Sequence, residues 1–76
     1  MASAAMRVRV GDRAHLRDLI AFLRECGCVA EQAGATELDV FVPAAPSDRA
    51  ARTEVDVYLA AWRVKSGGSA ALLANG

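Results

Sequence analysis

The chain has 76 residues, of which 54% are hydrophobic and 24% are charged, a composition typical of a globular domain and not of a disordered segment. Nine basic and nine acidic side chains give a net charge of zero, which argues against nucleic-acid binding, since that function needs a concentrated positive surface. No apolar run reaches the length of a membrane span or a signal peptide, so we predict a small cytoplasmic domain that binds no membrane.

The first predicted element is a strand over residues 6–10, "MRVRV", in which apolar and basic side chains alternate. One face of such a strand lies on the core, while Arg7 and Arg9 point the other way. Residues 1–5 are expected to form a disordered extension, and Met6 is a candidate for the natural start.

A helix is predicted over residues 13–26, because Gly11 ends the strand and Asp12 is a favourable N-cap. Apolar side chains recur in this stretch at spacings of three and four, which places them on one face of the helix. They are Leu16, Leu19, Ile20, Leu23 and Cys26. Gly27 is expected to end the helix.

Two further strands are predicted over residues 28–32 and 36–42, joined by the hairpin-length link "AGAT". The second strand is the clearer one, because its apolar and acidic residues alternate. This alternation directs Phe41 away from the core, on the same side as Glu37 and Asp39.

The last predicted helix spans residues 48–65, with Ser47 as its N-cap and Gly67 after its end. Apolar side chains again form a stripe along one face of this helix. They are Ala51, Val55, Tyr58, Leu59 and Trp62. Residues 69–76 are predicted to form either a tail or a short edge strand.

The predicted order, β-α-β-β-α, indicates an α+β fold, a two-layer sandwich over residues 6–68 with a ferredoxin-like (split βαβ) topology. The predicted sheet order is 1-3-2, with the last strand missing or short. In this arrangement the first and third strands are antiparallel neighbours. Arg7 and Arg9 on one strand would then face Glu37 and Asp39 on the other, and opposite charges stabilise such a pairing.

The stretch "VRVGDRAHLRDLIAFLRECGCVAEQA" resembles the first half of ACT-type regulatory domains. The shared features are a strand, a turn that opens with Asp and a basic residue, a Leu-rich helix, and a Gly before the second strand. The resemblance covers residues 6–42. It implies a domain that pairs through its sheet and binds an amino acid or a similar small ligand at the turn after the first strand.

The ligand-binding turn that this resemblance implies consists of Gly11, Asp12, Arg13, Ala14 and His15. Where the family usually has a Pro-Gly pair, this chain has Ala14 and His15. The residues themselves favour a surface position for His15, because a lone histidine without Ser, Cys or Glu at motif spacing is weak support for catalysis. Arg7, Arg9 and Arg13 could jointly hold an anion, but solvated or cross-strand-paired arginines are the favoured interpretation.

The "CGC" triplet, Cys26 to Cys28, could be a redox pair or half of a metal site. A disulfide between the two thiols would close a very small ring, and a metal would need two further ligands. His15, the single histidine, lies at the other end of the helix. We therefore favour two small buried hydrophobic residues around a helix-ending glycine, and we predict no cofactor and no metal.

Two apolar sets exceed what a monomer needs, and they predict an interface with a second copy or another protein. Val29 and Phe41 lie on the uncovered side of the sheet. Val57, Ala61 and Val64 form a second stripe on the last helix, opposite its core-facing stripe. The open side of the sheet is the preferred candidate.

Three functional hypotheses follow from these observations. The first is a non-catalytic interaction or regulatory module that associates with itself or serves as a subunit of a larger complex. The second is an ACT-like sensor of a small anionic ligand, such as an amino acid, at the Gly11–His15 turn. The third is a redox or metal-binding protein that uses Cys26 and Cys28. The first is favoured, because no acid, base and nucleophile converge in the pattern.

Overall fold

The computed structural model describes residues 5–73 and contains four strands and two α-helices. The strands are β1 (Met6–Val10), β2 (Val29–Gln32), β3 (Glu37–Phe41) and β4 (Ala70–Leu72). The helices are α1 (Leu16–Glu25) and α2 (Asp48–Ser66). The extension predicted for residues 1–5 and the end of the tail predicted for residues 69–76 lie largely outside the described residues.

The strands form one antiparallel sheet in the order β2-β3-β1-β4, so that β1 and β3 are the central pair. Arg7 lies opposite Asp39 in this pair, and Arg9 lies opposite Glu37. The predicted α+β class is therefore confirmed. Residues 70–72 form a short strand at the edge beside β1.

Both helices pack on one side of the sheet, because every second strand residue meets their apolar stripes in a single core. The largest fully buried side chains of that core are Trp62, Leu19, Leu23, Leu38, Leu59, Val8, Val40 and Val55. Among residues 5–73, no helix or strand covers the other side of the sheet. We call that side the open face, and its side chains are Arg7, Arg9, Val29, Glu31, Glu37, Asp39, Phe41 and Ala71.

The start of the first helix differs from the prediction. Asp12 accepts a hydrogen bond from the Ala14 N–H over 2.9 Å, but the turn that it caps, Arg13–His15, is a 3-10 helix. The α-helical bonds begin only at Leu16. Such tight turns are common at helix N-termini. Asp12 is thus an N-cap as predicted. The turn that it caps is a 3-10 turn, whereas the sequence predicted an α-helical one.

The two helices end as predicted at glycines with left-handed backbone. Gly27 has a φ of 91° and Gly67 has a φ of 74°, values that L-residues with a side chain rarely adopt. The second helix also begins as predicted, since the Ser47 hydroxyl accepts a hydrogen bond from the Ala50 N–H over 3.1 Å.

The free edge of β2 carries an arginine side chain. Ala33 donates its N–H to Glu37 of β3, and alternate strand residues point their backbone groups in opposite directions. Ala30 therefore directs its carbonyl away from β3, towards the free edge. Arg24 of α1 donates to that carbonyl from Nε over 3.2 Å and from Nη2 over 2.9 Å.

The free edge of β4 also carries an arginine side chain. Ser69 directs its carbonyl to the Gly11 N–H, so Ala70 directs its own carbonyl away from β1. Arg63 of α2 donates to that carbonyl from Nε over 2.8 Å and from Nη2 over 2.6 Å. Each helix thus places one arginine on the edge strand that follows it.

Candidate functional site

Four charged side chains of the central strands form a hydrogen-bonded cluster on the open face, which we call the charge ladder: Arg7, Arg9, Glu37 and Asp39. Arg7 donates from Nε to the Asp39 Oδ1 over 2.7 Å and from Nη1 to the Glu37 Oε1 over 2.9 Å. Arg9 donates from Nη2 to the Glu37 Oε2 over 2.8 Å. The opposite-charge pairing predicted for these strands is confirmed, and Glu37 bridges the two arginines.

The hydrogen bonds of the ladder favour the charged forms of Glu37 and Arg7. Hydrogen bonds from Arg9 and from Arg7 hold the pKa of Glu37 below its ordinary value, because they favour the charged carboxylate. The hydrogen bond to Asp39, followed by that to Glu37, raises the pKa of Arg7. The Arg7 and Arg9 side chains are still 43% and 58% exposed. Their charges can therefore act on a second charged surface.

One end of the open face is apolar. Val29 of β2 lies directly opposite Phe41 of β3, and Val29 is 47% exposed while Phe41 is half-buried. A shallow concavity of about 200 Å³ lies beside this pair, lined by Ala5, Val29, Glu31, Asp39 and Phe41. Small-molecule pockets usually have about 300–1,000 Å³. The size of the concavity suits an inserted side chain better than a small ligand.

Glu31 and Ala5 complete this site and were not singled out in the sequence. Glu31 follows Val29 at a spacing of two, so the strand period alone would have placed it on the same face. Its register partner is Asp39. Ala5 lies just before β1, in the stretch predicted to be disordered. It lines the concavity beside the Val29–Phe41 pair.

The Gly11–His15 turn is largely occupied by contacts within the chain. A side chain at Gly11 would collide with the Ser69 hydroxyl, and Asp12 caps the 3-10 turn. Asp12 and Arg13 are exposed. The turn therefore offers one exposed carboxylate and one exposed guanidinium, and binding of a small anion there stays a prediction.

His15 packs against the core tryptophan, Trp62. The sequence predicts a surface position for this residue, and the structure places it at the edge of the core instead. Its ring lies edge-on to the Trp62 indole, with 5.9 Å between the ring centroids. The backbone of Gly68 lies against both rings: a Cβ at this position would be 2.7 Å from the His15 Nδ1 and 2.8 Å from the Trp62 Cη2. His15 thus contributes to packing at the junction of the two helices and the last strand.

Both cysteines are free thiols, and their surroundings favour the protonated form. Burial raises the pKa of the Cys28 thiol to about 11, and Cys28 itself is 6% exposed. Burial also raises the pKa of the half-buried Cys26. Because the thiolate is the reactive and metal-binding form, these shifts disfavour nucleophilic or ligating roles at neutral pH.

The second apolar stripe of α2 is exposed, as its position opposite the core predicts. Val57 is 60% exposed, Val64 is 89% exposed, and Ala61 is also exposed. These side chains are small, and they lie on the far side of the molecule from the open face. The two predicted interface sets are therefore separate surfaces.

Within residues 5–73, no three His, Cys, Asp or Glu side chains come together as a metal site would require. Neither α1 nor α2, the α-helices of the described part of the chain, is long and apolar enough to cross a bilayer. Comparison with protein-family models, with curated proteins and with solved structures finds no match to this chain. Function is therefore argued from the surfaces themselves.

Proposed function

We propose that the protein is a non-catalytic interaction module that associates with a second copy of itself through the open face. The observation that carries this proposal is the Val29–Phe41 pair, in which Val29 is exposed and Phe41 is half-buried, on a sheet face that no described helix covers. Burial of apolar area stabilises association by about 25 cal/mol per Å². Aromatic residues such as Phe41 are also enriched in protein–protein interfaces.

The charges of the open face support a partner of the same kind. The face carries two arginines on β1 and two carboxylates on β3, so it is basic on one side and acidic on the other. A surface with both signs in separate rows is complementary to a rotated copy of itself. Each charge of the ladder already has a hydrogen-bonded partner within the chain, which limits the penalty for removing it from water.

The other available surfaces are less suited to this role. Strand addition at an edge would have to displace Arg24 from the β2 carbonyl or Arg63 from the β4 carbonyl. The outer stripe of α2 presents only valine and alanine side chains, which bury less apolar area than Phe41.

Two finer assignments accompany this proposal. We propose that the fold is ferredoxin-like, and the strand order β2-β3-β1-β4 with both helices on one side supports a split βαβ arrangement. We also propose a cytoplasmic location, which the two free thiols support, because thiols stay reduced in that compartment.

The test compares two charge substitutions on opposite surfaces by analytical ultracentrifugation. Phe41→Glu is expected to weaken dimerisation at least about 30-fold, because it places a carboxylate at the centre of the apolar contact. Val64→Glu, on the outer stripe of α2, is the matched control and should sediment as the wild type does. Circular dichroism spectra and melting temperatures establish that both variants are folded.

Two outcomes would contradict the proposal. A wild-type chain that remains monomeric up to millimolar concentration would exclude self-association, and a folded Phe41→Glu variant that still dimerises would exclude the open face. If Val64→Glu alone dissociated the dimer, the interface would lie on α2.

A further inference from the structure

The charge ladder restricts how two open faces can meet. When identical sheets pack face to face in a two-fold dimer, the axis lies in the plane of the interface. An axis running across the strands places each strand over its own counterpart. An axis running along the strands, midway through the sheet, exchanges the two central strands, so that β3 of one copy lies over β1 of the other.

The register decides between these two arrangements. Arg7 and Asp39 are at the same height along the central strands, and so are Arg9 and Glu37. An axis along the strands therefore brings Asp39 over the partner's Arg7 and Glu37 over the partner's Arg9. An axis across the strands brings acidic β3 over acidic β3 and basic β1 over basic β1. Like charges then face each other, which disfavours this arrangement.

We propose that the second copy docks about an axis along the strands, with its β1 over β3 of the first copy, so that the charge ladder continues across the interface. This inference rests on the proposed function, and it names the orientation and the charges that select the partner. The ladder lies on the two central strands of the sheet. Its contacts therefore persist although packed sheets are rotated by about 30° relative to each other.

The apolar end of the open face fits the same axis. Phe41 of β3 and Ala5, just before β1, line the concavity together. Exchange of the central strands places the phenyl ring of each copy over the partner's Ala5. The ring then lies over Ala5, the smallest of the side chains that line the concavity of about 200 Å³. A large side chain above a small one is the interdigitation that well-packed sheet interfaces use.

The decisive experiment exchanges the polarity of the ladder. A chain with Arg7→Glu, Arg9→Glu, Glu37→Arg and Asp39→Arg rebuilds the same ion pairs within itself and remains complementary to its own copy. Against the wild type, however, it places acid over acid and base over base. Wild-type protein labelled with ¹⁵N is mixed with the exchanged chain in equal amounts, and native mass spectrometry reports the three dimers.

We expect both chains to form homodimers and the mixed dimer to fall at least about five-fold below its statistical share. Labelled and unlabelled wild-type protein, mixed in the same way, is the matched control and should give the statistical share. Dimerisation of the wild type should also weaken between low and high salt, because salt screens the attraction between the partly exposed charges of the two faces.

Each contrary result has one meaning. A mixed dimer at its statistical share would overturn the axis while leaving self-association intact, because pairing would then not depend on ladder polarity. A folded exchanged chain that stays monomeric would also overturn the axis, since this axis requires that chain to complement itself. Absence of any dimer in the wild type would overturn the proposed function as well. If the exchanged chain does not fold, the single-rung variant Arg7→Glu with Asp39→Arg makes the same comparison.

Discussion

The indole Nε1 of Trp62 donates a hydrogen bond to the Asp18 Oδ2 over 2.8 Å and so links α2 to α1. Trp62 is 1% exposed, whereas Asp18 lies at the surface. The carboxylate satisfies the polar end of an otherwise apolar ring, which lets the largest core side chain be buried almost completely. Helix orientation and core packing are therefore coupled through one bond.

Asp18→Ala is expected to lower the free energy of unfolding by about 1–3 kcal/mol, because it leaves the indole N–H without its acceptor. Urea denaturation followed by circular dichroism measures this change. Asp18→Asn keeps an acceptor oxygen and should be milder. Removal of another exposed carboxylate, Asp56→Ala, should change the stability by less than about 0.5 kcal/mol. Equal effects of the alanine and asparagine variants would show that the bond is not important.

Trp62→Ala should remove about 3–5 kcal/mol, the usual loss for a buried aromatic side chain. Small domains rarely have more than about 5–15 kcal/mol in total. We therefore expect a chain that is largely unfolded at physiological temperature, with loss of far-ultraviolet circular dichroism and of the cooperative thermal transition. A variant with the wild-type melting temperature would exclude a core position for the indole.

Gly68→Ala should destabilise the protein more than Gly34→Ala. A methyl group at position 68 would press on His15 and Trp62, whereas at position 34 it would meet only the Glu37 Cβ at an ordinary 3.9 Å. The expected difference is about 1–3 kcal/mol, as for other overpacked sites. The two melting temperatures give the comparison directly, and equal values would contradict the close packing at Gly68.

The charge ladder is expected to contribute to the free energy of unfolding, and this contribution should be lost at acidic pH. The folded chain holds the pKa of Glu37 below its ordinary value of 4.5, so the stabilisation is complete above that value. It is lost as the pH falls through the lower, folded-state pKa. The stability difference between the wild type and Glu37→Gln should therefore be constant near neutral pH and shrink below about pH 4.5. A difference independent of pH would contradict the role of the charge.

Because the Cys28 thiol is buried, we expect the protein to lose stability at alkaline pH. Its pKa is 9.0 when unperturbed and about 11 in the folded chain, so the folded state resists deprotonation. The stabilisation is present below pH 9 and declines as the pH rises to about 11. The wild type should thus lose stability more steeply over this range than Cys28→Ala, which lacks the buried thiol. Parallel stability curves for the two proteins would exclude a buried thiol.

Local patterns predicted β1, β3 and the two helices well, because each of these elements has a clear period. Alternation identified β1 and β3, and spacings of three and four identified both helices, so that the core includes Trp62 and Leu19 as expected. The charge ladder was also predictable, since charges of opposite sign occupy the outward positions of neighbouring strands. These features depend on residues close in sequence or on strand pairing alone.

Contacts that depend on helix rotation could not be predicted in the same way. Asp18 and Trp62 are 44 positions apart, and no local period shows that the two side chains meet. The contact between His15 and Trp62 likewise joins two residues that are distant in the sequence. The three-residue β4 is too short for a visible alternation, and its place depends on distant partners, the Gly11 N–H and the Arg63 guanidinium.

The arginines on the two edge strands affect whether copies of this chain would assemble into a finite complex or an open-ended fibre. Cross-β fibres grow by adding strands to a free edge, and every added strand exposes a new edge. Here Arg24 and Arg63 occupy a carbonyl on each rim of the sheet, while no helix or strand of residues 5–73 covers the broad face between them. Pairing across a face is complete after one partner. A sheet with occupied rims and one open face therefore favours an assembly of finite size over an open-ended one.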